Sequence, residues 1–581
     1  MTASLLFLFA FGVSLRLMTP GLALEDAGEF ATAAVTLTLT HPPGYPLYVL
    51  AGHLVSVAPV GSPGFRLACL SAAATGLAAV FIYACARECL GAGRIPAAGC
   101  ALAVAWAPAA AFQSSLADKY PLNLALLTAL IWLAWRTWIR PDRGLQLIAL
   151  LGGVSLSHHM MTLYLVPAVL GLAWRLPVWR TPRRVLVLLL VATLGVSLKP
   201  VALPLLSRVA PSLMYSRLDS AGWLHRYLSA KEYSGRFATY PTGTKVLRVA
   251  TTACPALVRQ AGWPLIVLAV LGAAGLWRRA RSPLVAGAAG AAVAIWLVAS
   301  FDMAGAGYYL LPVVAFLVLL AAAAIADTSV GWGRAVAAGL GVLLALHAGL
   351  RSLPAADLSR YYGALDWGRN LLGSTPRDGL LVTQHDDDFY PVIYAQRVLG
   401  ERDDVIVVHR PFLTRLWHHA QVEALHPGIR ILDPAIIPWG HTVDPEGLVN
   451  IFMRSHFGKR PISFTYLANA ECAGGYRLFP EGCVFRVGRR GVEPPLPRAA
   501  SFAARLARLE WRSAFARYPA GSRFSEVAGA PAASWTQLAA RWWDAGNRAE
   551  ARAALVRALR YPYTRVVPDD LLRLKINLLT P

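Results

Sequence analysis

Long apolar runs dominate the first 350 residues of the chain and become rare afterwards. A helix needs roughly 20 apolar residues to cross about 30 Å of hydrocarbon, and eleven runs approach that length. The fifth and sixth runs are short, and they either form two spans or one kinked pair around His158 and His159. We therefore expect about eleven membrane-spanning helices. The runs lie near Leu5–Leu24, Leu67–Ala86, Ala97–Ala117, Leu122–Trp138, Leu145–Ser157, Met160–Trp174, Val185–Ser207, Trp263–Trp277, Pro283–Phe301, Tyr308–Ala326 and Arg334–Leu350.

The loops between these runs alternate in charge. Basic residues gather after the second, fourth, sixth and eighth runs, whereas the alternate short loops carry almost none. Because Lys and Arg stay on the cytoplasmic side, the N-terminus is expected inside and the segment after Leu24 outside. The long loop of residues 208–262 and everything after Arg351 then also lie outside. A retained first span, rather than a cleaved signal peptide, fits this alternation, since residues 1–4 carry no basic side chain.

The composition agrees with a membrane protein. Of 581 residues, 56% are hydrophobic and 15% are charged, whereas soluble proteins carry about 25% charged residues. The net charge of +23 would also suit a nucleic-acid binder, but the basic loops of a membrane protein account for it, so no nucleic-acid partner is expected. The Arg- and Ala-rich composition favours a bacterial inner membrane, with the outer face in the periplasm.

Charged residues and turns return after Leu350. Residues 379–382, 389–399 and 404–408 predict a strand, a helix and a strand, and a second β-rich stretch includes residues 461–467 and 484–487. This part of the chain is long enough for one or two soluble domains. An extracytoplasmic α/β domain is therefore expected to follow the membrane helices.

The pattern from residue 499 onward is helical. Apolar positions between Trp535 and Ala558 resemble one tetratricopeptide (TPR) helix pair. Cys472 and Cys483, the only cysteines of the soluble part, either form a disulfide, as an oxidising compartment allows, or remain two buried thiols. The predicted organisation is a membrane domain (1–350) with outer loops 25–66 and 208–262, an α/β domain (351–498) and a TPR-like helical region (499–581).

Three carboxylates, Glu25, Asp26 and Glu29, follow the first run at the outer membrane face. They either cap the positive end of a helix or serve chemistry, because charged groups at a membrane face are costly unless they are used. A carboxylate in partly apolar surroundings can deprotonate or orient a hydroxyl that attacks an activated sugar. We expect Asp26 to be this base, supported by Glu29 and by Asp118 from another outer loop.

The sequence His41-Pro42-Pro43-Gly44-Tyr45-Pro46-Leu47-Tyr48 cannot continue a helix, so it predicts a rigid turn between two interfacial helices. His41 would then lie close to the carboxylates and could donate to a sugar or phosphate. Tyr45 and Tyr48 either contact the substrate or belong to the aromatic belt of the membrane interface.

The run DAGEFATAAVTLTLTHPPGYPLYVLAGHL, residues 26–54, closely resembles the opening signature of the domain-of-unknown-function 2723, transmembrane protein 260-like family of membrane glycosyltransferases. Weaker similarities follow in family order. They are ADKYPLN (117–123), SHH (157–159), PLLSR (204–208), KEY (231–233) and VTQHDDDFYP (382–391) with YAQ (394–396).

This resemblance implies a GT-C-like polytopic α-helical membrane protein that uses a polyprenyl-phosphate sugar, and an animal member of the family is a protein O-mannosyltransferase. The chain departs from the family at Gln384-His385-Asp386, where the family has N-G-D, and at Asp118, where it has Glu. Substrate details are therefore not carried over from the family.

The charge rule brings residues from distant segments to one outer face. Arg208 and Lys231 are expected to bind the donor phosphate, as are Lys199, Arg217 and Arg236, because Lys and Arg pair strongly with phosphate oxygens; anionic lipid headgroups are the alternative partners. Neither a metal nor a cofactor is expected, and Asp386–Asp388 is interpreted as a solvated turn rather than a Ca²⁺ site. The expected substrate-binding residues are His41, Tyr45, Tyr48, Tyr120, His158, His159, Arg208 and Lys231.

The sequence thus predicts an inverting glycosyltransferase that moves a sugar from a polyprenyl-phosphate donor to a protein or glycan acceptor outside the cytoplasm. A transporter or flippase of lipid-linked saccharides is the competing class. It predicts charges inside several spans and internal repeat symmetry, whereas only Arg16 and Lys199 lie well inside spans and no repeat is evident. A non-catalytic scaffold would leave the outer acids and histidines without a purpose.

Overall fold

The computed structural model describes residues 2–140, 144–175, 181–209, 218, 220–231, 240–301, 307–327, 333–432, 445–465, 475–489, 491–513 and 527–561. Up to Ala356, all regular structure in these residues is helical. The helices are α1 (Ala3–Leu17), α2 (Ala27–Thr36), α3 (Pro46–Ser56), α4 (Pro63–Glu88), α5 (Arg94–Ala105), α6 (Pro108–Gln113), α7 (Lys119–Ile139), α8 (Gly144–His158), α9 (Val166–Arg175), α10 (Pro182–Val209), α11 (Ala221–Leu228), α12 (Thr242–Arg248), α13 (Cys254–Ala261), α14 (Trp263–Arg279), α15 (Arg281–Ser300), α16 (Leu311–Asp327) and α17 (Gly333–Ala356).

Six of the described helices are long and apolar enough to cross a membrane, and a seventh span results if α14 and the preceding helical segment, bent by 96°, count as one. Shorter apolar helices, among them α1, α5 and α8, fall on further predicted runs. The run Ala97–Ala117 is divided between α5 and α6, because Pro108 begins a new helix. The predicted multi-pass α-helical membrane architecture is confirmed.

The chain after Ala356 forms a small mixed sheet flanked by helices. The elements are α18 (Gly363–Ser374), β1 (Leu380–Thr383), α19 (Asp386–Arg397), β2 (Ile406–His409), α20 (Leu416–Leu425), α21 (Pro445–His456), β3 (Ile462–Phe464), β4 (Tyr476–Glu481), β5 (Val484–Arg489), α22 (Ala499–Leu506), α23 (Ala530–Asp544) and α24 (Arg548–Ala558). The order of the strands is β2-β1-β3-β5-β4, with β1 parallel to both β2 and β3. The predicted strand, helix and strand are present as β1, α19 and β2, whereas β4 was not predicted.

Helices α23 and α24 pack against each other and against Phe502 of α22. Trp535 lies edge-on to Phe502, with 4.8 Å between the ring centroids, so the apolar face of the pair is covered by α22. The TPR character of this pair stays a prediction.

Cys483 is buried, and its predicted partner Cys472 lies outside the described residues.

The membrane helices and the C-terminal domain share one hydrophobic core, which includes Leu24 and Ala31 on one side and Phe389 and Tyr394 on the other. Helix α2 lies directly on α19, where a Cβ atom added to Gly28 would come within 2.8 Å of the Cβ of Tyr390. The backbone N–H of Glu25 donates to Asp387 Oδ1 at 2.8 Å across the same junction. The glycine of the D-x-G-E signature is therefore required by the close approach of these two helices.

Candidate active site

A cavity of about 460 Å³ lies where the loops after α1 meet the C-terminal domain. This volume is within the range of small-molecule sites. One side, which we call the loop wall, consists of Asp26, His41, Lys119 and His159. Asp386 and Tyr390 of α19 form the facing part, which we call the sheet-edge wall. The rest of the lining is aromatic or apolar and includes Tyr45, Tyr120, Tyr164, Phe301, Tyr309, Met161, Leu297 and Val298.

Lys119 of the loop wall is the counter-ion of two carboxylates, Asp26 and Asp118. Its Nζ lies 2.6 Å from Asp26 Oδ2 and 3.5 Å from Asp118 Oδ1, although Lys119 and Asp118 are both buried. Asp118 also accepts a hydrogen bond from the backbone N–H of Tyr120 and so begins α7. The side chain of Asp26 is 33% exposed, and it is the member of this group that lines the cavity. The network thus pairs the Asp26 carboxylate with a cation and leaves it accessible from the cavity.

Lys119 lies in the family-like motif ADKYPLN, but no role was predicted for it from the sequence. Its Nζ lies 4.5 Å from the ring centroid of Tyr120 and 4.8 Å from that of Phe30. These aromatic faces stabilise a cation that burial would otherwise disfavour. The signal that could have found it is a Lys beside an Asp in a short loop on the face that the charge rule leaves poor in basic residues.

Glu29 and His41 form a second ion pair behind Asp26. Glu29 Oε2 lies 2.7 Å from His41 Nδ1, and the backbone N–H of His41 also donates to the Glu29 carboxylate. Burial alone would lower the pKa of His41, but the adjacent Glu29 carboxylate outweighs it and raises that pKa above its usual range. His41 lines the cavity as a hydrogen-bond donor, while Glu29 is fully buried and positions it.

The ligand atoms of Asp26, Glu29 and His41 lie within 4.8 Å of one another, a spacing that a metal ion could bridge. Each carboxylate already has a cationic partner, Lys119 for Asp26 and His41 for Glu29. A metal would have to displace Lys119 from Asp26 or break the Glu29–His41 contact. The arrangement as it stands is an ion-pair network.

The two predicted histidines have different positions. His158 is fully buried, and its Nε2 lies 3.1 Å from the backbone carbonyl of Lys119, so it supports the loop wall from behind. His159 lines the cavity between the rings of Tyr45 and Tyr120. Its Nδ1 accepts from the backbone N–H of Met161 at 3.1 Å, so a neutral ring carries its proton on Nε2 and can donate to a ligand.

Among the predicted tyrosines, Tyr45 and Tyr120 line the cavity, whereas Tyr48 is fully buried behind Phe30. Tyr309, which also lines the cavity, and Tyr308, which contacts Tyr120, were not predicted from the sequence. The Tyr120 hydroxyl donates to Tyr309 at 3.2 Å, and the rings of Tyr120 and Tyr308 stack with their centroids 5.0 Å apart. Aromatic faces of this kind suit a sugar or a lipid chain.

The predicted phosphate-binding cations are separated by the fold. Lys199 is buried, and its Nζ lies 5.8 Å from the ring centroid of the cavity-lining Tyr45. Among the described residues, no carboxylate lies within ion-pair distance of Lys199. Arg208 and Lys231 are exposed and do not line the cavity, although Ala230 does. Arg217 and Arg236 lie outside the described residues.

The interpretation of Asp386–Asp388 as a solvated turn is wrong for its last member. Asp388 is buried and accepts hydrogen bonds from Trp367 Nε1 at 3.0 Å and from the Thr465 hydroxyl at 2.7 Å. Because the three residues form the first turn of α19, their side chains point in different directions. Only Asp386 of the three lines the cavity.

Comparison with known proteins agrees with the family signature. Residues 26–182 match the family described as protein O-mannosyl-transferase TMEM260 N-terminal domain, and residues 364–426 match TMEM260-associated domain 2. No curated protein matches the sequence. This match confirms the predicted resemblance to TMEM260-like membrane glycosyltransferases.

Two solved structures of ArnT from Cupriavidus metallidurans are similar to the chain. The structure bound to undecaprenyl phosphate has 13% sequence identity and a TM-score of 0.46, and the similarity covers 71% of this chain and 90% of that chain. The apo structure has 14% identity and a TM-score of 0.45, with coverage of 85% and 99%.

Proposed function

We propose that the protein transfers a sugar from a polyprenyl-phosphate donor to a protein hydroxyl on the periplasmic side of a bacterial inner membrane, with inversion at the anomeric carbon. Mannose is the first sugar to test, because the matching family is described as a protein O-mannosyl-transferase. The observation that carries the proposal is the amphipathic character of the cavity, in which the Asp26 carboxylate, paired with Lys119, and an apolar wall share one space.

A separate apolar groove of about 90 Å³ lies along the membrane helices. Tyr164 borders both spaces. Helix α15 also contributes to both, since Ala294 lines the groove and Val298, one turn further along, lines the cavity. A donor with a charged head and a long isoprenoid chain has the same division into a polar and an apolar end, so its head would lie beside Asp26 and its chain between the helices.

The donor phosphate would lie near Lys199 and His159. A buried cation in a membrane helix is costly without an anion, and Lys199 has no carboxylate partner among the described residues. A phosphate would supply that charge, and the Nε2–H of His159 would donate to one of its oxygens. These groups would then stabilise the negative charge that grows on the phosphate as the sugar leaves.

Asp26 is the base of the proposed reaction. The acceptor oxygen attacks the anomeric carbon opposite the phosphate, so that the bond to the acceptor forms while the bond to the polyprenyl phosphate breaks. The hydroxyl proton passes to the Asp26 carboxylate, and the electron pair of the broken bond stays on the phosphate. Lys119 holds the carboxylate in position, and His41 would donate to a sugar hydroxyl.

The test is sugar transfer by the purified protein in nanodiscs, with a panel of radiolabelled polyprenyl-phosphate sugars and a periplasmic protein extract. Wild type should label protein, and Asp26→Asn should lower the rate by at least about a hundredfold, because removal of a general base costs 10²–10⁴ in rate. Asp327→Asn is the matched control, since Asp327 pairs with Arg279 beyond the cavity lining and its side chain is 41% exposed.

Full transfer by well-folded Asp26→Asn would contradict the role of Asp26. Donor binding by both proteins without any transfer would contradict the transferase and favour a transporter of lipid-linked saccharides.

A further inference from the structure

The carboxyl edge of the parallel strands faces the cavity. Strand β1 ends at Thr383 and β2 ends at His409, and the chain returns from β1 directly into α19, which brings Asp386 and Tyr390 to the cavity. In open α/β sheets, ligands bind outside the carboxyl ends of the parallel strands. The edge of this sheet therefore has the position of a binding site, and it opens onto the site of the membrane domain.

The three acidic residues at this edge, Asp386, Asp387 and Asp388, make different contacts. Asp387 accepts from the backbone N–H of Glu25 and joins the domain to the membrane part. Asp388 accepts hydrogen bonds from Trp367 and Thr465 inside the domain. The Asp386 side chain is 58% exposed and lines the cavity, so it is the carboxylate of this group that a ligand can reach.

A fully buried histidine is directed at Asp386. His409 Nδ1 lies 2.8 Å from the hydroxyl of Thr383, and the imidazole stacks on Phe389 with 4.5 Å between the ring centroids. Its Nε2 makes no hydrogen bond with any described residue, and it lies 3.5 Å from Asp386 Oδ1. The ring is thus fixed on one side, while its other nitrogen faces the carboxylate at the cavity.

The charges of the cavity indicate which substrate Asp386 would meet. Asp26 and Asp386 both line the cavity, whereas Lys119 and Lys199 belong to membrane helices. Lys119 is already paired with Asp26, whereas Lys199 has no carboxylate partner among the described residues, so a phosphate is attracted to Lys199 and repelled by Asp386. Hydroxyl and amide N–H groups donate readily to a carboxylate, and these are the groups that a protein acceptor offers.

We propose that Asp386 binds the acceptor protein next to the hydroxyl that is glycosylated, and that His409 and Thr383 act as positioning residues for its carboxylate. The inference rests on the proposed transferase function. The C-terminal domain is then part of the active site, and its sheet edge selects the acceptor while the membrane helices hold the donor.

The experiment measures transfer from polyprenyl-phosphate mannose by the full-length protein while the concentration of periplasmic extract is varied. Asp386→Asn should raise the half-saturating extract concentration by about tenfold, because the substitution removes a charged hydrogen-bond acceptor from the proposed acceptor site. The KM for the donor should stay within twofold of wild type. Asp386→Glu should recover part of the loss, and His409→Gln should change acceptor saturation in the same direction.

Asp403→Asn is the matched control, since Asp403 is an exposed carboxylate just before β2, at the opposite end of the strand from His409. Unchanged acceptor saturation in Asp386→Asn, or an equal rise in the donor KM, would overturn the role of Asp386 while leaving the transferase standing. An absence of transfer by wild type would overturn the proposed function, and this inference with it.

Discussion

The two walls of the cavity differ in how completely their charges are paired. In the loop wall, Asp26 forms an ion pair with Lys119 at 2.6 Å, and His41 forms one with the buried Glu29 at 2.7 Å. In the sheet-edge wall, the one described ion-pair partner of Asp386 is His409, whose Nε2 lies 3.5 Å from Asp386 Oδ1. Close pairing fixes atoms where bonds are made and broken, whereas a loosely paired carboxylate leaves its oxygens available to a changing ligand. The difference suits a wall for chemistry and a wall for recognition.

The largest expected effect comes from breaking the pairing of the loop wall with Lys119→Met. Two carboxylates, Asp26 and Asp118, then lose their cation in a largely buried place, so the free energy of unfolding should fall by about 3 kcal/mol. Denaturant titration in detergent measures this value. Lys119→Arg keeps the charge, so its free energy of unfolding should fall by less. A Lys119→Met protein as stable as wild type would contradict the counter-ion role.

A smaller effect should follow when the two walls are pushed apart by Gly28→Val. The new side chain would meet the backbone of α19 at Tyr390, so the stability should fall by about 2 kcal/mol and transfer should slow, because the sheet-edge wall moves away from Asp26. Gly12→Val is the control, since a Cβ atom at Gly12 of α1 has no neighbour within 4 Å. Equal stability and activity of the two variants would show that the contact of α2 with α19 does not hold the walls together.

The smallest effect concerns the pH dependence of the loop wall. The pKa of His41 is raised by Glu29 although burial acts against it, so the charged pair stabilises the fold below the ordinary histidine range and is lost as pH rises through the raised pKa. His41→Gln should therefore be less stable than wild type by about 1.5 kcal/mol at pH 5.5, and the two should converge as the pH rises. Thermal unfolding from pH 5.5 to pH 9 measures the difference; a gap that does not change with pH would exclude a charged pair.

The sequence predicted much of the loop wall, because its signals are local. The D-x-G-E signature, the proline-rich turn and the alternation of basic loops place Asp26, His41 and His159 on one face without any knowledge of the packing. They do not show which side of a helix faces the cavity. Lys199 reaches Tyr45 whereas Arg208, on the same helix α10, is exposed, and this depends on how α10 packs on α8 through Gly153 and Gly195.

The sheet-edge wall was not predicted as part of the site. The strand, helix and strand around Asp386 were recognised from their apolar pattern, but the pattern of a domain does not say which of its edges meets the membrane. That depends on contacts such as Gly28 with Tyr390 and Glu25 with Asp387, which join residues more than 350 positions apart. Contacts at such separation leave no periodic signal in the sequence.

The junction of Glu25 with Asp387 also has a consequence for biosynthesis. The two residues are separated by 362 positions, so at roughly 5–20 residues per second a ribosome needs about 20 to 70 s to make the second after the first. During the later part of that time, once His159 has been made, all residues of the loop wall are present without their partner. The nascent chain therefore holds the residues of the loop wall before it has the surface that closes the site, and the site becomes complete only when the C-terminal domain has been made and has folded.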